Sequence, residues 1–200
     1  MQMEENFDKR EGFQAEIPSQ CVCDEDSILM LETAKGGDHA FRMLVEKWKN
    51  ALVNFFYRST ANASTSEDLA QQTFINLYRA RESYKAKAKF STYLFSIARH
   101  ILINEYRSSS RRIQSVELNP ETDSPSAPNY DLETAELEEI FEKTIALMPE
   151  NQRTAILLLK QQELSYEEIA DAMDASVGAV KTWIFRARTT LRAALQERII

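Results

Sequence analysis

The stretch Leu164-Ser-Tyr-Glu-Glu-Ile-Ala-Asp-Ala-Met-Asp-Ala-Ser-Val-Gly-Ala-Val-Lys-Thr-Trp-Ile-Phe-Arg-Ala-Arg188 decides how the chain is read. Ser165 with Glu168 three residues on forms a capping box, which starts a helix there. Asp174-Ala-Ser176 interrupts the pattern, and Ser176 caps a second helix from about Val177. At about 100° per residue, Val180, Ile184, Ala187 and Leu191 share one side of that helix, with Trp183 beside them. Gly178, Lys181, Thr182, Phe185, Arg186 and Thr189 take the other. On its own such a helix reads first as an ordinary amphipathic one with a solvated face. Joined by a short turn to a capped partner, it reads as a helix-turn-helix. Its cations and hydroxyls then suit a DNA major groove, where Lys and Arg meet guanine or phosphate.

Outward from this stretch, the chain has 200 residues, enough for one ordinary domain or two small ones. Four glycines, five prolines and helically spaced apolar runs predict an all-α protein. No run approaches the roughly 20 apolar residues of a membrane span, and the acidic start is not a secretory signal, so the cytoplasm is expected.

The net charge of −7 is uneven along the chain. Acids dominate up to Asp26 and again from Glu117 to Glu150. Bases dominate from Arg79 to Arg112 and from Ser176 onward. Local fields of this kind govern association more than the sum does. Cys21 and Cys23 are the only cysteines, and His39 and His100 the only imidazoles. The thiols read as reduced bystanders on an arm, and neither a metal nor a cofactor is expected.

Residues 1–26 read as an acidic, non-periodic arm. A short helix, Ser27 to Lys35, ends at Gly36-Gly37, and Asp38 is expected to cap a long helix with Phe41, Leu44, Val45, Trp48, Leu52 and Phe55 inward. After an Ala61–Ser66 loop, the next helix carries Glu67 and Asp68 in its first turn and buries Leu69, Thr73, Leu77 and Ala80. A basic loop with aromatic ends follows, Tyr84 to Phe90, then a helix from Ser91 to Arg107. Lys85, Lys87 and Lys89 interleaved with Tyr84, Phe90 and Tyr93 suit single-stranded nucleic acid, cations for phosphates and rings for bases. A merely soluble basic loop explains the same residues equally well. Ser108 to Tyr130 reads as a linker. Asp131 to Leu147 reads as an acidic helix with Leu137, Ile140, Phe141 and Ile145 inward, and Pro149 opens the helix that leads into the helix-turn-helix.

Two helical units, one basic and aromatic, the other a helix-turn-helix, resemble the extracytoplasmic-function group of the bacterial sigma-70 family. The likeness rests on Glu67-Asp-Leu-Ala-Gln-Gln-Thr-Phe74 with Arg79, Phe90-Ser-Thr-Tyr-Leu-Phe-Ser-Ile-Ala-Arg-His100, and Asn104 with Arg107. It continues in Leu147-Met-Pro-Glu-Asn-Gln-Arg153, Leu164-Ser-Tyr-Glu-Glu-Ile-Ala170, Val177-Gly-Ala-Val-Lys181 and Arg186-Ala-Arg188. The resemblance implies region 2 at 27–112, a linker at 113–130 and region 4 at 131–200. It implies a partner in core RNA polymerase, met by Asp68, Gln71, Gln72, Phe74 and Ile75. It further implies melting of the promoter minus-ten element by Tyr84, Lys85, Lys87, Lys89, Phe90, Tyr93, Arg99, Asn104 and Arg107. Ser176, Val177, Gly178, Lys181, Thr182, Phe185, Arg186 and Arg188 would read the minus-thirty-five element, and an anti-sigma factor would be a further partner. Tyr93 stands where the family usually has Trp, His100 where Asn is usual, and Asn104 where Asp is common.

Two other classes remain to be weighed. A plain helix-turn-helix regulator would bind DNA without docking on polymerase, and would not need the basic aromatic loop. An enzyme lacks support, since the chain has no glycine-rich phosphate loop, no His-Glu-x-x-His and no nucleophile elbow.

Overall fold

The computed structural model describes residues 24–113 and 132–196. These form eight α-helices and one 3₁₀ turn, with no strand among the described residues, as the sparse turn residues and helical periodicity predicted. The expectations for Cys21, Cys23 and residues 114–131 lie outside the described residues.

The first unit comprises α1 (Glu25–Ala34), α2 (Asp38–Thr60), α3 (Ala63–Arg79), a 3₁₀ turn (Arg81–Ser83) and α4 (Phe90–Ile113). Helix α1 begins before the expected Ser27. Asp24 caps it by accepting from the Ser27 amide at 2.8 Å, and Asp26 turns inward to meet Lys47 (2.7 Å) and the Trp48 indole N–H (3.1 Å). The fold therefore reaches three residues into what read as a disordered arm. Gly36, at φ +94°, lets the Gly36 and Gly37 amides close back onto Thr33 and Glu32, ending α1. Asp38 does not cap α2. It is that helix's first residue, after Gly37, and its charge faces the helix dipole from the first turn.

Helix α3 also starts earlier than expected. Asn62 caps it through the Thr65 amide (2.8 Å), and Ser66 donates to the Asn62 carbonyl (2.6 Å), so Glu67 and Asp68 fall in the second turn. The serine-rich segment that looked like loop is helical because its polar side chains bond to the helix backbone rather than against it. Helix α4 similarly continues through Ser108-Ser-Ser-Arg-Arg112 to Ile113, where a linker was expected. The core of this unit is aromatic: Phe55, Phe56, Phe90 and Phe95 are fully buried. Phe55 lies 5.4 Å from both Phe56 and Phe95 in edge-on geometry, and Trp48 lies 6.1 Å from both Phe90 and Phe95.

The second unit comprises α5 (Leu132–Ala146), α6 (Glu150–Gln161), α7 (Tyr166–Met173) and α8 (Val177–Gln196). Ile145, Ile156, Leu157, Leu158, Ile169, Met173, Val180, Ile184 and Ala187 fill its core. Leu137, expected inward, is 40 % exposed, because the buried stripe of α5 runs through Thr144 and Ile145. The two units touch. Helix α7 packs on α4, and the C-terminal part of α2 meets α5 and α6.

Candidate nucleic-acid interface

Helix α7 is held by both halves of the predicted capping box. Ser165 Oγ accepts from the Glu168 amide at 3.2 Å, and Glu168 Oε2 accepts from the Ser165 amide at 2.7 Å. Its far end turns at Asp174, in the left-handed region at φ 48°, with Ala175 closing back onto the Ala170 carbonyl at 3.0 Å. Ser176 then caps α8 through the Ala179 amide at 3.2 Å. The turn thus fixes how α8 leaves α7, and buried Val180, Ile184 and Ala187 fix its rotation. Lys181, Thr182, Phe185, Arg186 and Arg188 all face solvent as a result, with Ser176 and Gly178 exposed at the start. Val177 is half-buried against the core. From Lys181 to Arg188 the helix rises about 10 Å, which fits a major groove about 12 Å wide. Phe185 is 71 % exposed, a large ring with no cover, on a face otherwise made of cations and hydroxyls.

The first unit offers a cleft of about 380 Å³ lined by Ser83, Tyr84, Lys85, Lys87, Ala88, Thr92, Tyr93, Ser96 and Asp171. The Tyr84 and Tyr93 rings lie 5.0 Å apart at its floor. Burial pushes both phenols above their ordinary value, so their hydroxyls stay neutral; a hydrogen bond from Tyr84 to Ser27 offsets part of the rise at Tyr84. Lys85, Lys87 and Lys89 are exposed around the cleft. Phe90 is not a stacking ring: at 0 % exposure, between Trp48 and Tyr84, it has no face left for a base. Its first-turn position on an amphipathic helix turned it inward. Arg99 is half-buried along α4, while Asn104 and Arg107 are exposed further on, Arg107 about 21 Å from Tyr93 by helical rise. The structure gathers the loop residues with Tyr93 and leaves these three strung along the helix.

A third surface lies on α2 and α3. Asp68, Gln71, Gln72 and Ile75 are exposed, with Gln72 donating to Asn76 at 2.8 Å. Phe74 is largely buried, edge-on to Phe41 at 6.5 Å, and serves as the floor of an apolar groove of about 460 Å³ with Ile75, Tyr78 and Arg79.

The Sigma-70 region 2 model matches residues 44–112, and the Sigma-70, region 4 model matches 138–191. The ECF RNA polymerase sigma-E factor of Haemophilus influenzae is 32 % identical over 185 residues, covering 86 % of this chain and 95 % of its own. The chain belongs to the extracytoplasmic-function group of the sigma-70 family. The sigma factor is also 31 % identical over 183 residues to the RNA polymerase sigma-H factor of Pseudomonas aeruginosa, covering 86 % of this chain and 95 % of that relative. Its fold matches CnrH, solved with the cytosolic domain of CnrY, at TM-score 0.67 and 25 % identity over 87 % of this chain and 99 % of that one. It also matches the sigma factor RpoE of Bartonella quintana, solved with the anti-sigma factor NepR, at TM-score 0.66 and 24 % identity, covering 78 % and 96 %. As a sigma factor, the chain directs core RNA polymerase to promoters and promotes initiation.

Five lining residues of the cleft were missed in the sequence: Ser83, Ala88, Thr92, Ser96 and Asp171. Thr92 and Ser96 lie four apart, next to Tyr93, so helical spacing alone could have found them. Thr92 Oγ1 is buried there without a partner. Asp171 carried no such signal, since it comes from the other unit.

Proposed function

We propose that the sigma factor divides promoter recognition between its units. Lys181, Thr182, Phe185, Arg186 and Arg188 read duplex DNA at the minus-thirty-five element, with Ser176 and Gly178 approaching the backbone. The cleft at Tyr84, Lys85, Lys87 and Tyr93 takes a base from the opened minus-ten element, while Lys89, Arg99, Asn104 and Arg107 track its strand. Taking a base from the stack costs a few kcal/mol, which stacking and a shaped pocket offset. The edge formed by Asp68, Gln71, Gln72 and Ile75, over the groove floored by Phe74, docks on core polymerase. The working units are region 2 at 27–112 and region 4 at 131–200, joined by the linker at 113–130. The observation that carries this reading is the exposed cationic face of α8 on a helix whose opposite stripe is locked in the core.

In this reading the sigma factor supplies binding and polymerase supplies the chemistry, so it works in the cytoplasm. No helix among the described residues is long and apolar enough to cross a membrane. An anti-sigma factor is a further partner, supported by the likeness to CnrH, which was solved with a bound partner chain. Run-off transcription with core polymerase and a promoter library tests the whole. Initiation at a subset of promoters is expected, and none from a folded protein would overturn it. Arg186→Ala should weaken recognition by about 1–3 kcal/mol and leave polymerase binding unchanged; loss of both together would mean the division of labour is wrong.

A further inference from the structure

The solvent face of α8 divides by chemistry once its hydroxyls are followed. Thr182 Oγ1 donates to the Gly178 carbonyl at 2.9 Å, Thr189 Oγ1 to the Phe185 carbonyl at 2.9 Å, and Thr190 Oγ1 to the Arg186 carbonyl at 3.1 Å. A hydroxyl has one proton, so each is spent on the helix's own backbone and none is left for a base acceptor or a phosphate. The methyl, on the other branch of Cβ, points away from that carbonyl. At about 100° per residue, Gly178, Thr182, Phe185 and Thr189 share the strip directly opposite buried Val180, Ile184 and Ala187. Lys181 and Arg188 run along one edge of the strip and Arg186 along the other. Thr182 and Phe185, three residues apart, are neighbours on this surface. Gly178 opens the strip. A Cβ there would meet nothing nearer than Ser176 Oγ at 4.0 Å, so no contact among the described residues needs the glycine. Glycine is a poor helix former at an exposed position, and the room it leaves is on the side a duplex would approach.

We propose that this strip is an apolar reader of thymine: the Phe185 ring and the Thr182 methyl pack against a thymine C5-methyl group in the major groove, while Lys181, Arg186 and Arg188 meet guanine and phosphate on either side. This rests on reading α8 as the minus-thirty-five helix, and it says which base the middle of that helix selects. Thymine alone of the four bases presents a methyl group in the major groove; the others present hydrogen-bonding edges there. A strip with no proton to give makes no bond to guanine or adenine acceptors. A ring set against the amino group of cytosine or adenine leaves that donor unpaired, which costs affinity. The thymine methyl is the edge such a surface matches, and phenyl and threonine methyl groups are the side-chain parts that read it. A second protein chain would cover Phe185 equally well but would leave Gly178 unexplained. Its gap admits a partner close to the helix backbone, and close approach is what lets a side chain as short as Thr182 reach a base edge.

The test uses holoenzyme, the full chain with core polymerase, and duplex fragments of a promoter found by run-off transcription. Each thymine of the minus-thirty-five element, on either strand, is replaced singly by deoxyuridine, which removes the methyl and keeps the base pair. Affinity is read by competition against the unmodified fragment. At one or two neighbouring positions the parent should bind about fourfold more weakly for the methyl removed, as the transfer of one buried carbon predicts. Phe185→Ala should weaken binding to the thymine fragment and abolish the difference between thymine and deoxyuridine. Arg186→Ala should weaken binding but keep that difference. Thr182→Val, which exchanges the hydroxyl for a second methyl, should bind more tightly than Thr182→Ser, which deletes the methyl; the reverse order overturns the role given to Thr182. A parent indifferent to every methyl overturns the proposal. So does a deoxyuridine effect that survives Phe185→Ala, since it would belong to DNA shape. The underlying reading fails separately: promoter affinity unchanged by Arg186→Ala and Phe185→Ala alike would take α8 off the duplex altogether.

Discussion

Asp26 is 5 % exposed, yet it carries a carboxylate inside an apolar bundle. It is tolerable because one oxygen meets Lys47 and the other the Trp48 indole. Both partners lie on α2, so this single side chain ties α1 to the long helix. Removing it as Asp26→Ala leaves the indole donor unpaired in a half-buried position and a lysine without its counter-ion. Hydrogen bonds to charged groups are worth about 1.5–3 kcal/mol each in net stability, so a loss of about 3 kcal/mol is expected. Urea unfolding would measure it, and an unchanged midpoint would mean that α1 docks through Met30 and the Tyr84–Ser27 bond without it. The residue scale is also where sequence reading failed most plainly. Leu137 was assigned to the inner face by spacing and Phe90 to a loop just outside the helix, but near a helix end one residue of boundary or rotation decides between core and solvent. Periodicity does not fix that rotation; the neighbouring helices do.

At the level of elements, the helix-turn-helix was legible almost to the residue. Caps are local chemistry, settled by side chains within four positions of the backbone they serve, and Ser165, Glu168 and Ser176 all bond as read. Ser165→Ala should cost about 1 kcal/mol, visible as a lowered thermal midpoint, with little effect if Glu168 alone suffices. Glu168 also makes a pH prediction. Burial works to raise its pKa, but bonds from Lys89 and Ser165 outweigh that and hold it below the ordinary 4.5. The stabilisation is therefore fully present above the ordinary value and is lost as pH falls through the depressed one. Lys89 mirrors this. Its pKa is raised above 10.5 by Glu168, with help from Asp24, so its contribution holds below that value and is lost as pH climbs through the raised one. In urea midpoints against pH, Glu168→Gln should flatten the acid limb relative to the parent; an identical slope would mean the pair does not form in solution.

For the whole molecule, the division into two helical units, their order and their surfaces were readable because each rests on patterns within a few turns of chain. The contact between them was not. Arg153 with Ser59 joins residues 94 apart, and Glu168 with Lys89 joins a helix and a loop that sequence reading kept on separate units. Charge blocks hinted only that a basic first unit and an acidic segment could attract; nothing in spacing says which acid meets which base. The serine-rich stretches misled for a related reason. Composition suggested loops at Ala61–Ser66 and Ser108–Arg112, whereas helix was completed there by Asn62 and by continuation of α4.

The two oxygens of Glu168 have a consequence for kinetics. Oε2 closes the capping box while Oε1 reaches Lys89, so breaking the contact with the first unit takes nothing from helix α7. The caps of the helix-turn-helix lie wholly within it, so no refolding step is needed for it to meet duplex DNA. Any movement of α7 against the first unit is then a rigid-body motion, which belongs to the microsecond-to-millisecond range, faster than steps that must rebuild secondary structure around a new partner. The reading head is preassembled, and only its tether changes.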